Sequence, residues 1–218
     1  MKQESSNVSI ENIQIKSNFP KMTKLENQDN AKRGINIGSF TSTSDYLYFK
    51  QHYPTVQLQM NKAELFAFDE YDGIYAMGVP YNREGREGLF VIYKNFNNNK
   101  TFSILREVKL GEDTIMRIME LKNSNALLEI VKSKGNIAFK EKPENDKCDE
   151  NKNCFSGCPN YMACVKCVFE EMGAEGAGLC GGAAGVAAAF NPVVGGAISL
   201  GCFGLIPLGG CAIGQLIN

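Results

Sequence analysis

The chain has 218 residues, room for one or two domains, with 23 basic against 24 acidic side chains and a net charge of -1. That average hides two unlike parts: 148–218 holds two lysines against five acids, and the rest holds 21 bases against 19 acids. Neither part has the clustered positive surface that nucleic acid requires, and the C-terminal part is not a cationic peptide drawn to anionic lipid.

In chain order, residues 1–33 are polar and rich in Asn, Ser, Lys and Gln, and are expected to form a mobile N-terminal arm with at most a short strand. No apolar run follows a basic end there, and Lys32-Arg33 is not a twin-arginine pair, so no export signal is visible. From Gly34 the pattern turns globular. Ser44 is placed to cap a short helix carrying Tyr46, Leu47 and Phe49, which should end before Pro54.

From Val56 to Phe139 the signal is repeated strand and turn. Alternating Val56, Leu58 and Met60 come first, then apolar runs at 65–68 and 74–77 around an Asp72-Gly73 turn. Runs at 89–93 and 102–105 flank Asn97-Asn98-Asn99, runs at 115–121 and 127–131 flank Asn123-Ser124-Asn125, and Lys134-Gly135 introduces 137–139. Strands of about five residues, spaced by Asn, Asp and Gly, predict an antiparallel β meander or sandwich over 34–140.

This β domain offers no catalytic constellation. His52, the single histidine, sits among aromatic residues without a serine or cysteine partner at any known spacing, so a packing or surface role is expected. Asp69, Glu70 and Asp72 cluster at a turn but lack the twelve-residue pattern of a calcium loop. Gly85 and Gly88 lack the strand-to-helix setting of a phosphate-binding loop. The expectation is a chain that is no enzyme and needs no cofactor.

Residues 141–153 are almost wholly charged or amide and read as an open linker, a place for a protease to cut. Lys140, Lys142 and Lys147 mark the candidate cleavage region. The same composition would equally serve a plain linker.

All eight cysteines follow: Cys148, Cys154, Cys158, Cys164, Cys167, Cys180, Cys202 and Cys211. An even number confined to the last 71 residues predicts four disulfides in an oxidising compartment, with the pairing left open. Zinc is the rival, through Cys154, Cys158, Cys164 and Cys167. It leaves Cys180, Cys202 and Cys211 unexplained on apolar segments, and disulfides are therefore preferred. A thioredoxin-like role for Cys164 and Cys167 is weaker, because no βαβ context surrounds them.

Pro159 is placed as the first residue of an amphipathic helix to about Met172, with Tyr161, Cys164, Val165, Val168, Phe169 and Met172 on one face and Lys166 paired with Glu170 on the other. Two Gly/Ala-rich segments, 176–190 and 193–214, are separated by Asn191-Pro192, which predicts a helical hairpin turning at those residues. No Asp, Glu, Lys, Arg or His occurs from Gly176 to Asn218, and the twelve glycines there suit close packing, disulfide support or a bilayer. A buried hairpin is expected in water, with the longer segment able to open into a membrane.

Residues 154–167 (CFSGCPNYMACVKC), the GAGLCGGAAGVAAAF that follows, NPVVGGAISLGC and the closing GLIPLGGC give the last 70 or so residues a likeness of spacing and texture. They resemble the halocin-like, or microhalocin-type, bacteriocins, cysteine-rich peptides cut from the C-terminus of a larger precursor. The resemblance implies an immunity role for the N-terminal part and twin-arginine export, and the second is not matched here.

The sequence therefore predicts an α+β chain: an arm (1–33), a β carrier (34–140), a linker (141–153) and a disulfide-stapled helical peptide (154–218, with its first cysteine at Cys148). Proteolysis would release the peptide as a secreted antimicrobial acting on the lipid membrane of target cells, with a processing protease and export machinery as partners. The alternative is a tail-anchored protein with a soluble β domain and reduced or zinc-bound cysteines.

Overall fold

The computed structural model describes residues 20, 22–26, 34–109, 111–133, 136–142, 147–179 and 206–217. Eight strands among them form one antiparallel sheet in strict sequence order. They are β1 (Met22–Lys24), β2 (Glu64–Phe68), β3 (Ile74–Arg83), β4 (Arg86–Asn95), β5 (Thr101–Lys109), β6 (Thr114–Glu120), β7 (Asn123–Ser133) and β8 (Asn136–Lys142). The expected meander is present; a sandwich is not formed, because helices cover both faces of the sheet.

Short α1 (Ile37–Thr41) and α2 (Ser44–His52) lie on one face. Asn36 caps α1 by accepting from the Ser39 amide, and Thr43 caps α2 by accepting from the Tyr46 amide. The cap of α2 is thus one residue earlier than predicted, and Ser44 becomes its first residue. Phe40 and Phe49 pack there with Tyr75, Met77, Phe90, Ile92 and Leu105. A buried polar contact pins α2 to the sheet: Ser103 Oγ donates to Asp45 Oδ2 at 2.7 Å, and Lys122 Nζ pairs with the other oxygen.

On the opposite face lie α3 (Cys154–Gly157), α4 (Tyr161–Leu179) and α5 (Ile206–Ile217). Their buried side chains form one core with Phe66, Phe68, Leu89, Val91, Tyr93 and Ile104 of the sheet. Successive residues of a strand point to opposite faces, so Leu89, Val91 and Tyr93 meet the cysteine-rich region while Phe90 and Ile92 meet α2. That is why 89–93 is apolar at every position.

The β3–β4 hairpin turns through Glu84 and Gly85, both at positive φ, and Gly73 at φ 79° turns β2 into β3. The Asn123-Ser124-Asn125 segment, expected to be a turn, instead begins β7, with Glu120 paired to Asn123. The turn is made by Leu121 and Lys122. Burial of Leu121 and the Lys122–Asp45 ion pair favour that register over the one that turn propensity alone selects.

In α4 the first helical residue is Tyr161, two places after Pro159, because Asn160 Oδ1 accepts from the Ala163 amide at 2.9 Å and caps the helix. The helix continues past Met172 to Leu179. Tyr161, Cys164, Val165 and Val168 share its buried face, and Lys166 pairs with Glu170 at 4.0 Å. Asn191 and Pro192, the predicted hairpin turn, lie outside the described residues, as do Cys180 and Cys202.

Candidate functional site

The sequence offered no catalytic cluster, so the functional question falls on the cysteine-rich region and the surface that receives it. Three disulfides close that region: Cys148–Cys158, Cys154–Cys167 and Cys164–Cys211. The four cysteines of the zinc reading do not share one centre, since Cys158 bonds Cys148 and Cys164 bonds Cys211. The first bridge ties the loop before α3 to the residue that follows it, and the second ties the start of α3 to α4. The third crosses 47 positions and holds α5 against α4. A fourth bridge would need Cys180 and Cys202.

Every described bridge joins two residues of 148–211, and no cysteine precedes Cys148. No disulfide can therefore fasten the C-terminal region to the sheet. Its attachment is a continuous chain at 143–147 plus non-covalent packing. Lys140 and Lys142 lie in β8, which runs into the stretch read as linker, and Lys140 stands opposite Glu129 of β7. Lys147 is exposed and outside any regular element.

The packing is specific. Asn95 and Asn98, at the β4–β5 turn, both donate their side-chain amides to the Leu216 carbonyl of α5, at 3.4 and 3.1 Å. The last carbonyls of a helix lack intrahelical donors, so the sheet supplies two to one of them. Gly209 of α5 lies flat on Phe68: an added Cβ would fall 2.6 Å from its ring and 3.3 Å from Met22 Sδ. Phe68 is 3 % exposed and cannot retreat. Gly210 receives the Phe155 ring in the same way. The predicted small-residue spacing of Gly210 and Gly214 thus serves contact with aromatic rings and with α3. Gly209→Val is expected to lower stability by about 1–3 kcal/mol through overpacking and to raise proteolysis of α5 selectively; unchanged denaturant midpoints would show that α5 does not pack at this distance.

The contact also buries polar atoms that go unpaired. Arg106 is 2 % exposed on the face carrying Ile104 and Val108, and its Nε and Nη1 have no hydrogen-bond partner among the described residues. The same holds for the hydroxyls of Tyr93 in β4 and Tyr161 in α4. Burial lowers the Arg106 pKa to about 10, against the opposing influence of Tyr81, Glu87 and Tyr93. It raises those of Tyr93 and Tyr161, and Tyr161 is raised further by Tyr93 and Glu120. Tyr81, on the other face, is raised by burial and then by Glu107, to which its hydroxyl donates at 3.1 Å.

These shifts fix the alkaline behaviour. Above about pH 10 the unfolded chain gives up three phenolic protons that the folded chain keeps, so stability falls as pH rises. Arg106 opposes this, losing its proton near pH 10 when folded and only at distinctly higher pH when unfolded. The tyrosines outnumber the arginine, so the net effect is a loss of stability with rising pH, about 1.4 kcal/mol per pH unit for each net proton. Tyrosinate absorbance should show at least three of the eight tyrosines titrating only with unfolding; smooth titration of all eight in the folded chain would contradict these placements.

His52 ends α2, exposed, stacked on Tyr48 with Nδ1 3.0 Å from the Tyr48 carbonyl oxygen. Asp69 and Asp72 line an open cleft with Phe68, Tyr71 and Tyr75. The buried pairs Asp45–Ser103 and Glu107–Arg83 were not foreseen, and both serve packing. No helix among the described residues is long and apolar enough to cross a membrane.

Comparisons with protein-family models, with curated proteins and with solved structures find no match to this chain.

Proposed function

We propose that the chain is the precursor of a secreted antimicrobial peptide, in which the β sheet holds the cysteine-rich region in a latent state until proteolysis near 143–147 frees it. The observation that carries this reading is the combination of internally closed disulfides with a purely non-covalent seat on the sheet. Disulfides belong to an oxidising compartment, and a bridged unit survives outside the cell. One cut upstream of Cys148 leaves the oxidised unit covalently independent of everything before it. The likeness of 148–218 to halocin-like bacteriocins points the same way.

Latency follows from what the sheet covers. Tyr161, Val165, Val168, Ala212, Ile213 and Leu216 all face it, and release would expose them together on a region with no charge after Glu175. Such a contiguous apolar face seeks lipid. Helix α5 has twelve residues, roughly 18 Å at about 1.5 Å per residue, against a hydrocarbon core of about 30 Å. The described part of the region therefore fits an interfacial position, with α5 lying in the headgroup boundary, better than a span.

Mass spectrometry of the culture medium tests the proposal. The expected species begins between Lys140 and Cys148 and is lighter than its reduced form by two hydrogens per bridge. Uncut chain retained in cells, with cysteines open to alkylation on lysis, would overturn it and favour the tail-anchored alternative.

A further inference from the structure

Two of the bridges abut. The sulfurs of Cys148, Cys158 and Cys167 lie within 4.8 Å of one another, although only the first two are bonded together. Cys167 is bonded to Cys154, which brings a fourth sulfur to the cluster. The four come from three short pieces of backbone. Cys148 lies in the loop before α3, Cys154 and Cys158 begin and follow α3, and Cys167 is in α4. The loop is itself fixed, because the Asp149 amide donates to the Gly157 carbonyl at 2.9 Å. Cys148, Cys158 and Cys167 are half-buried and Cys154 is buried, so the cluster has a dry inner side and an open outer one.

A tetrahedral thiolate site with metal–sulfur bonds of about 2.3 Å sets its sulfurs about 3.8 Å apart. Three of the four sulfurs already lie within 4.8 Å of one another and the fourth is bonded to one of them, so small side-chain shifts bring all four to one centre. We propose that in the reduced chain Cys148, Cys154, Cys158 and Cys167 bind one zinc ion, and that this metal site is the reduced counterpart of the two abutting disulfides. A dithiol reductant delivers two electrons and two protons to each bridge and becomes a disulfide itself. The four thiols then lose four protons to solvent as the thiolates take the ion. A disulfide oxidant that takes two electrons from each pair of thiolates, and is itself reduced to a dithiol, returns the two bridges with loss of the ion.

The site does not depend on the antimicrobial reading. Its consequence for folding is that four cysteines are gathered before any disulfide forms, while Cys164 and Cys211 stay outside the set. Glu171, whose carboxylate lies within 4.8 Å of the Cys154 and Cys167 sulfurs, borders the site without being one of the four ligands.

The test uses the full chain reduced with a phosphine, titrated with Co²⁺ as a visible reporter and then with Zn²⁺. The expected result is about one ion per chain with the absorption of tetrahedral thiolate cobalt, and displacement by zinc. Alkylation of the zinc-loaded wild type, mapped by peptide mass, should spare Cys148, Cys154, Cys158 and Cys167 while Cys164 and Cys211 react. The double variant Cys148→Ser/Cys158→Ser should bind at least about a hundredfold more weakly, and Glu171→Gln should bind as wild type does. Absence of stoichiometric binding, or protection spread evenly over all the cysteines, would overturn the proposal. Because the mapping is done on the wild-type chain, failure of a variant to fold does not shield it.

Discussion

Replacing Cys164 and Cys211 together by serine is expected to cost about 4 kcal/mol, the largest loss available from any single bridge described here, because this one closes a loop of 47 positions. The Cys148–Cys158 bridge, with a separation of 10, is worth about 3 kcal/mol on the same chain-entropy reasoning. The difference has a structural meaning as well. Without the long bridge, α5 is held among the described residues by the packing of Gly209, Gly210, Ala212, Ile213 and Leu216 and by two asparagine amides on one carbonyl. Twelve residues, three of them glycine, make a poor helix alone, so undocking and unravelling should coincide. Denaturant unfolding checks the magnitude, and limited proteolysis should cut first within 206–217. A loss no greater than that of Cys148→Ser/Cys158→Ser would show that α5 does not depend on its sulfur.

Arg106→Met is expected to work in the opposite direction and stabilise the chain by about 1–4 kcal/mol. A buried guanidinium with two unpaired nitrogens carries a desolvation penalty that the attraction of Tyr81, Glu87 and Tyr93 offsets only in part, and methionine fills similar volume without it. The carboxylate that acts on it, Glu87, is itself held above the usual range by burial, Arg106 opposing that shift, so the pair is not a tight one. Tyr161→Phe should add to the gain by removing an orphaned hydroxyl from the α4 side of the same contact. If the sheet must let the C-terminal region go, a costly interface is what release requires, and Arg106→Met should slow dissociation after cleavage. A destabilised Arg106→Met variant would reveal a partner for the guanidinium and remove this explanation of release.

The strands were readable because turns at Asp72-Gly73 and Asn97-Asn98-Asn99 interrupt apolar runs, and both turns stand where predicted. The fault at Asn123-Ser124-Asn125 has a plain cause. Turn propensity is local, whereas the register was set by Leu121 entering the core and by Lys122 reaching Asp45, 77 positions away in sequence. Helix α1 went unpredicted because five residues are too few to carry a period, and its only mark was Asn36 as a cap. The seat for the cysteine-rich region was in principle visible. An antiparallel sheet with one wet face alternates, and Leu89-Phe90-Val91-Ile92-Tyr93 does not, so both faces needed cover. The pairing of the cysteines could not be read, because it depends on where α3, α4 and α5 meet on that sheet. Arg106 was illegible for a related reason. Its neighbours Leu105 and Glu107 face α2, and only the fold places its own side chain under the opposite cover.

Dye release from lipid vesicles, with a specific protease site introduced between Asp146 and Lys147, tests the central claim most directly. The intact oxidised chain should cause no leakage, the cut chain should cause leakage, and that leakage should be lost when the cut chain is reduced and alkylated. Equal leakage before and after cutting, or full activity without the disulfides, would contradict that claim.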